Sequence, residues 1–216
     1  MPYFGTSPSA AAAGTLAALA TVGDGTAEDT RLVFDGNALD FRMGIDDGTD
    51  TLEIGKGNAH GTTAHMIFDT NGIIRAPLQP AFSVKPATTQ LNISGLTTIT
   101  FGTEQFDTNA DYNTGTSTFT APVDGHYQMN LLLRWDNADA AASYHEAVIV
   151  ASGGSFYIAL GGGSTLAADG YFQQNGSRII PMDAGDTAIP KVTVSGGTAQ
   201  SDISVYSSSF SGFLIG

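Results

Sequence analysis

Phe119-Thr120-Ala121-Pro122-Val123-Asp124-Gly125-His126-Tyr127 runs directly into Gln128-Met129-Asn130-Leu131-Leu132-Leu133-Arg134-Trp135. From Tyr127 onward the large apolar residues Tyr127, Met129, Leu131, Leu133 and Trp135 fall on every second position, with His126, Gln128, Asn130 and Leu132 between them. Successive side chains of a strand point to opposite faces, so this period of two predicts one long, half-buried strand. Pro122 to Gly125 predicts the turn that leads into it. The same signals continue toward the C-terminus. Val148 and Val150, then Phe156, Ile158 and Leu160, flank Gly153-Gly154. Ile179 precedes the turn Asp183-Ala184-Gly185-Asp186. Val192 with Val194, Ile203 with Val205, and Phe210, Phe213 and Ile215 complete the set. Eight to ten short strands joined by glycine-rich turns predict a β-sandwich or jelly roll.

Upstream, Ile73-Ile74-Arg75-Ala76-Pro77-Leu78-Gln79-Pro80 reads as an extended connector, because proline biases its predecessor toward the β region. Residues 24–72 carry short apolar clusters: Leu32-Val33-Phe34, Phe41 with Met43 and Ile45, Leu52 with Ile54, and Met66-Ile67-Phe68. Asp35-Gly36-Asn37, Asp46-Asp47-Gly48, Gly55-Lys56-Gly57-Asn58 and Asn71-Gly72 separate them as hairpin signals. A meander of about four such strands closes no good core alone, and intertwining with other copies would supply one. Ala10–Ala13 and Leu16 to Leu19, with Ser9 as N-cap, fit a short helix that is marginal by itself. It is either a free leader or an anchor, and the anchor is the expectation adopted. The expected organisation is therefore an anchor over 1–23, a β-rich stalk over 24–79 and a head over 80–216.

Composition narrows the function. Charged residues are 13% of the chain, about half the usual share, against 27 glycines. The net charge of −13 repels phosphate backbones, so nucleic acid is not an expected partner. The absence of cysteine excludes a disulfide scaffold, thiolate zinc sites and a cysteine nucleophile. No apolar run reaches the ~20 residues of a membrane span, and Ala10 to Val22 lacks the basic start of an export signal. A chain that works outside a cell without such a signal fits a virion component released by lysis.

Residues 80–216 resemble the globular head of complement C1q and its tumour-necrosis-factor-like relatives. The phrases that carry the resemblance are Pro80-Ala81-Phe82-Ser83, Phe101, Asp111-Tyr112-Asn113, Phe119 to Tyr127, Gly185-Asp186, and Phe210-Ser211-Gly212-Phe213-Leu214-Ile215. Its signature positions here are Phe82, Phe119, Pro122, Gly125, Tyr127, Gly185, Asp186, Gly212 and Phe213. The resemblance implies a ten-strand, all-β jelly roll that assembles as a homotrimer. Met129 stands where an aromatic is common, Gly161 to Ser164 is looser than usual, and no collagen Gly-X-Y run precedes the head. Some relatives bind calcium near the trimer apex, with no ligands mapped onto this sequence. Residues 24–72 resemble a stalk segment of marine bacteriophage structural proteins, through Asp35-Gly36-Asn37, Gly44-Ile45-Asp46-Asp47, Asp50 to Gly55 and Gly61-Thr62-Thr63.

Chemistry-bearing residues are sparse. His60 and His65 read as solvated loop residues rather than metal ligands. Asp46-Asp47-Gly48-Thr49-Asp50 clusters oxygen atoms as calcium loops do, yet lacks the EF-hand spacing and reads as a turn. No cofactor is assigned. No Gly-x-Ser-x-Gly elbow occurs, and the acids sit in turns rather than as a facing pair. No catalytic residue is expected. Trp135 reads as core. Tyr144, Tyr171 and Phe172 lie in Ser-, Asn- and Gln-rich stretches that read as recognition loops, with packing at a trimer interface as the competing reading.

These readings lead to one expectation: a trimeric phage fibre or spike. Its N-terminus would be held by another virion protein, and its head would bind a host cell-surface glycan or protein. The alternative is a capsid decoration protein, and a polysaccharide-degrading tip enzyme ranks last.

Overall fold

The computed structural model describes residues 21–61, 63–163, 170–198 and 200–216. Most of the expected anchor, residues 1–20, lies outside the described residues, as does Ser164 of the Gly161 to Ser164 stretch. Among the described residues there is no α-helix, and their regular structure is all-β. They form two compact units that divide between Pro77 and Leu78.

The first unit is one antiparallel meander of β1 (Thr30–Phe34), β2 (Phe41–Asp46), β3 (Thr51–Lys56), β4 (Ala64–Phe68) and β5 (Ile74–Arg75), paired in chain order. The turns follow from their residues. Asp46 Oδ1 accepts the Gly48 N–H at 3.0 Å, and Asp50 closes that turn at φ 53°. Gly72, at φ 79°, reverses the chain after β4, while Asp69 Oδ1 accepts the Asn71 and Ile73 N–H groups at 2.8 and 2.9 Å. That reversal corrects the expected extended connector. Ile74 and Arg75 return alongside β4 as a fifth strand, and the connector begins only at Ala76.

Register gives this sheet two unlike faces. One carries the cross-strand rows Leu32–Met43–Ile54–Met66 and Ile45–Leu52–Phe68–Ile74, with Phe34 opposite Phe41. The other carries Arg42, Glu53 and Arg75.

The second unit contains β6 (Ala81–Lys85), β7 (Gln90–Ile93), β8 (Gly95–Thr98), β9 (Thr103–Asp107), β10 (Tyr112–Asn113), β11 (Thr118–Thr120) and β12 (Gly125–Ala138). It continues with β13 (Ala142–Ala151), β14 (Gly154–Gly161), β15 (Gly170–Met182), β16 (Thr187–Gly196), β17 (Ser201–Ile203) and β18 (Ser209–Leu214). One sheet runs β7-β17-β12-β18-β6-β9, with β15 along the other edge of β12. The facing sheet runs β10-β11-β16-β13-β14, with β8 beside β16. The non-consecutive neighbours β18-β6 and β11-β16 are the crossings of a jelly roll.

The alternating residues of β12 produce its burial: Tyr127, Met129, Leu131, Leu133 and Trp135 are all buried between the sheets. Phe82 is stacked between Phe119 (centroids 4.8 Å) and Tyr112 (5.1 Å), and meets Phe210 edge-on at 5.1 Å. Offset and edge-on aromatic contacts of this kind add about 0.5–1.5 kcal/mol per pair beyond area burial. Burial pushes the Tyr112 hydroxyl up to about 12.

Candidate functional site: an uncharged sheet face and the turns beside it

The odd-numbered residues of β12 fill the core, so its even-numbered residues point away from it. Register extends that outward surface over three neighbours. Gln128 lies between Phe213 and Ile179, Asn130 between Ser211 and Ser177, and Leu132 between Ser209 and Asn175. On β6, Ala81 and Ser83 continue the rows from Phe213 and Ser211. In a chain of net charge −13, no Asp or Glu occurs on these rows. Asp136 lies at the far end of β12, where its Oδ1 accepts from Arg134 Nε at 2.7 Å.

Polar contacts on the face run between neutral side chains: Gln128 Nε2 donates to Asn130 Oδ1 at 3.1 Å, and Asn130 Nδ2 to Ser211 Oγ at 3.5 Å. Large apolar groups interrupt it. Phe213 is 43% exposed, Ile179 59% and Tyr171 69%. Charge depletion around exposed aromatic and aliphatic groups is the composition of an interface core rather than of a solvated surface.

The signature residues build the frame behind this face. Two turns clasp each other: the Gly185 N–H donates to the Ala121 carbonyl at 2.8 Å, and the Ala121 N–H to the Asp186 carbonyl at 2.8 Å. Asp124 Oδ1 accepts the Ala184 N–H at 2.7 Å, and Asp186 Oδ2 the Asp183 N–H at 3.0 Å. Gly185 adopts φ 92°, a conformation that costs other residues about 1–2 kcal/mol. Pro122 sits exposed in the first turn. Gly125 opens β12 where a Cβ would meet Leu214 Cδ1 at 2.6 Å. Tyr127 is fully buried, with its hydroxyl donating to the Val123 carbonyl at 2.8 Å. Gly212 lets β18 cross Phe82 and Met129, since a Cβ there would lie 2.9 Å from the Phe82 ring and 2.5 Å from Met129 Sδ. Phe82 and Phe119 are core, whereas Phe213 belongs to the outward face.

Two expectations about side chains are corrected. Tyr144, Tyr171 and Phe172 do not lie in loops; Tyr144 is in β13, and Tyr171 and Phe172 open β15. The Ser, Asn and Gln around them are the outward residues of long strands, not turn formers. Phe172 packs inward, stacked on Trp135 at 5.9 Å and edge-on to His145 at 5.3 Å. Tyr171 stays outward, with Arg134 Cζ 5.2 Å from its ring centroid.

The second correction concerns His60, which is buried rather than solvated. Its Nδ1 lies 3.2 Å from Glu53 Oε2 and 3.3 Å from Arg42 Nε, and Arg42 Nη2 donates to Glu53 Oε2 at 3.0 Å. Burial opposes the charge on Glu53, but hydrogen bonds from His60, Arg42 and the Gly61 N–H outweigh it and hold the carboxyl below its usual range. His65 is exposed, 5.8 Å from the Phe41 ring.

Trp135 is core, as its place in the alternation requires, and is fully buried in β12. Its Nε1 donates to Gln174 Oε1 at 2.8 Å, and Gln174 Nε2 donates to the His145 carbonyl at 2.9 Å. His145 Nε2 and Ser201 Oγ are 2.9 Å apart, the spacing a nucleophile and its base would need. Both residues are completely buried, and the Asp139 carboxylate binds the Ala141 and Thr198 N–H groups instead of the imidazole. Burial lowers the His145 pKa against the opposing pull of Asp139, which keeps the ring neutral. This cluster is therefore a sealed latch between the two sheets.

Among the described residues, no group of three or more His, Asp or Glu is placed to hold a metal ion. The open hollow of about 580 Å³ beside the first clasping turn is lined by Asp111, Asn113, Thr114, Thr120 and Pro122. It lacks the apolar, enclosing walls that bury a small ligand.

Comparison with known proteins places the C1q domain on residues 81–215. The globular domain of zebrafish complement 1qA protein is similar at 20% identity and a TM-score of 0.50, covering 64% of this chain and 98% of its own. Murine APRIL is similar at 8% identity and a TM-score of 0.48, over 63% of this chain and 99% of its own. No curated protein matches. The matched region spans more than half of the chain and contains every strand of the jelly roll, so the chain belongs to the C1q-domain family.

Proposed function

We propose that this protein is a non-enzymatic, homotrimeric structural and binding protein, a fibre or spike of a phage virion whose head meets host surface structures. The observation that carries the trimer is the acid-free outward face of β18, β12 and β15, with Phe213 and Ile179 half-exposed on it. Trimeric assembly is typical of the family, and its domains are typically binding modules without catalysis. The sealed Ser201–His145 pair and the open, polar hollow fit that reading: neither offers a reactive group beside an enclosed substrate site.

Recognition then falls to the outer surface of the head. Three copies on one axis give three identical contacts, and such linkage raises avidity by about 10²–10⁴-fold without any new contact. In the sequence a small β unit precedes the jelly-roll head, the order expected of a stalk and its tip.

The test is binding of the purified, fluorescently labelled full chain to cells that the parent particle infects. Saturable binding, competed by unlabelled chain and lost when the assembly face is broken by Asn130→Asp, is expected. Binding no greater than that of an unrelated acidic protein would overturn the host-binding reading. Particles that lack the protein, adsorb normally and lose stability would assign it to capsid decoration.

A further inference from the structure

The burial of the β1–β5 sheet is inverted. On its charged side Arg42 is fully buried and Glu53 nearly so, with His60 and the Gly61 N–H against the Glu53 carboxylate. Arg42 Nη1 donates to the Lys56 carbonyl at 2.6 Å, the Lys56 N–H donates to the Thr63 carbonyl at 3.1 Å, and His60 is seated on the ion pair. Its apolar side is open. Leu32 is 50% exposed, Phe34 56% and Ile74 60%, and Phe41, Met43 and Ile45 are each 41% exposed. Side chains of this size leave on the order of 600 Å² of apolar surface at such exposure, given ~150–250 Å² for a large ring. That stands at the top of the ~300–600 Å² of the largest patch on a typical monomer and approaches the ~800 Å² that each partner gives to a stable interface.

We propose that this face is a self-association surface, covered by the same face of two further copies of the chain. Residues 21–77 would then close the trimer a second time, independently of the head. The inference rests on the homotrimer reading above. Two arguments select copies of the chain as the occupant. A single sheet with one apolar side needs a second layer before it is stable. The cover must be present whenever the chain folds, and its own copies are what every such occasion supplies.

Charge points the same way. Residues 1–78 hold ten Asp and Glu, yet Asp46 and Glu53, the acids within β1–β5, both lie on the opposite side by register. Identical faces therefore approach without repulsion, and a threefold axis closes the contact so that it does not grow into a filament.

The chain has no cysteine, so one introduced thiol reports proximity without background. Ile54, central in β3, becomes Ile54→Cys in the full chain, with Met43→Cys as a second reporter if the first misfolds. Arg31→Cys, on the opposite side of β1, is the control. After mild oxidation, two of every three Ile54→Cys chains should enter a disulfide-linked dimer, the third being left without a partner at the axis. Arg31→Cys should stay single.

Sedimentation of the same samples separates this inference from the head reading. Trimers without cross-linking at position 54 or 43 overturn the inference and leave the head reading standing. Single chains without cross-linking overturn both. A thiol at 54 that resists alkylation yet never cross-links would place something else on the face and overturn the inference.

Discussion

Phe82 and Phe213 are both signature phenylalanines, and the structure assigns them opposite duties. Phe82 is 1% exposed and touches three other rings, whereas Phe213 is 43% exposed on the outward face. Phe82→Ala removes a buried ring and leaves a cavity that the two sheets close only partly. That costs about 3–5 kcal/mol, and the surrounding aromatic contacts place it in the upper part of the range. Domains of this size are stable by about 5–15 kcal/mol, so the variant should lose a third or more of its stability.

Phe213→Ala removes much less from the core of one chain. On the trimer reading it strips about 85 Å² of ring from each subunit contact, close to 2 kcal/mol at about 25 cal/mol per Å². The assay is urea unfolding followed by Trp135, the single tryptophan, whose burial in β12 makes its emission a reporter of the head. It is run at fixed chain concentration, because the stability of an oligomer depends on it. Sedimentation of the same samples reports assembly. Phe82→Ala should shift the midpoint strongly, and Phe213→Ala should raise the concentration at which chains dissociate by roughly tenfold or more. A midpoint shift worth less than about 1 kcal/mol for Phe82→Ala, or larger for Phe213→Ala than for Phe82→Ala at saturating concentration, would refute the assignment.

Three further outcomes follow from named contacts. His145 is buried as the neutral ring and its pKa is lowered below 6.5, so below that value the unfolded chain binds the proton first. Head stability should be at its plateau above about pH 6.5 and fall as the pH drops through the lowered value, a slope that His145→Gln should flatten in urea midpoints measured against pH. Gln174→Leu leaves the indole N–H of Trp135 buried without its acceptor, a loss of about 1–3 kcal/mol, accompanied by a changed tryptophan emission at neutral pH. Arg42→Leu strands the Glu53 carboxylate under its loop at a cost of about 3–5 kcal/mol, and hydrogen exchange should rise in β2 and β3 while β12 stays protected.

Much of the head was legible because its core strands obey the simplest rule. The alternation from Tyr127 to Trp135 is what two facing sheets require, and Gly185-Asp186 sits in the turn its residue types demand. Where outward residues are neither charged nor apolar, the rule fails. Gln173, Asn175 and Ser177 in β15 look like loop composition, so Tyr171 and Phe172 were read as loop residues although they begin a strand of thirteen residues. The same neutrality marks the outward face of β12, and it became visible only once register set Gln128 and Asn130 beside Ser211 and Ser177. His60 was hidden for a different reason. Arg42 stands 18 residues before it and Glu53 seven, and only the pairing of β2 with β3 brings all three under one loop. Ile74-Arg75 was misread because two residues carry no period, and their partner strand is fixed by the Gly72 turn.

The most direct test of the central claim is an electron cryo-microscopy reconstruction of the purified full chain. The account predicts a threefold particle of three times the 22.3 kDa chain mass, with Gln128, Asn130 and Leu132 of β12 turned toward neighbouring subunits. A single chain, or an assembly that leaves those three residues facing solvent, would contradict it.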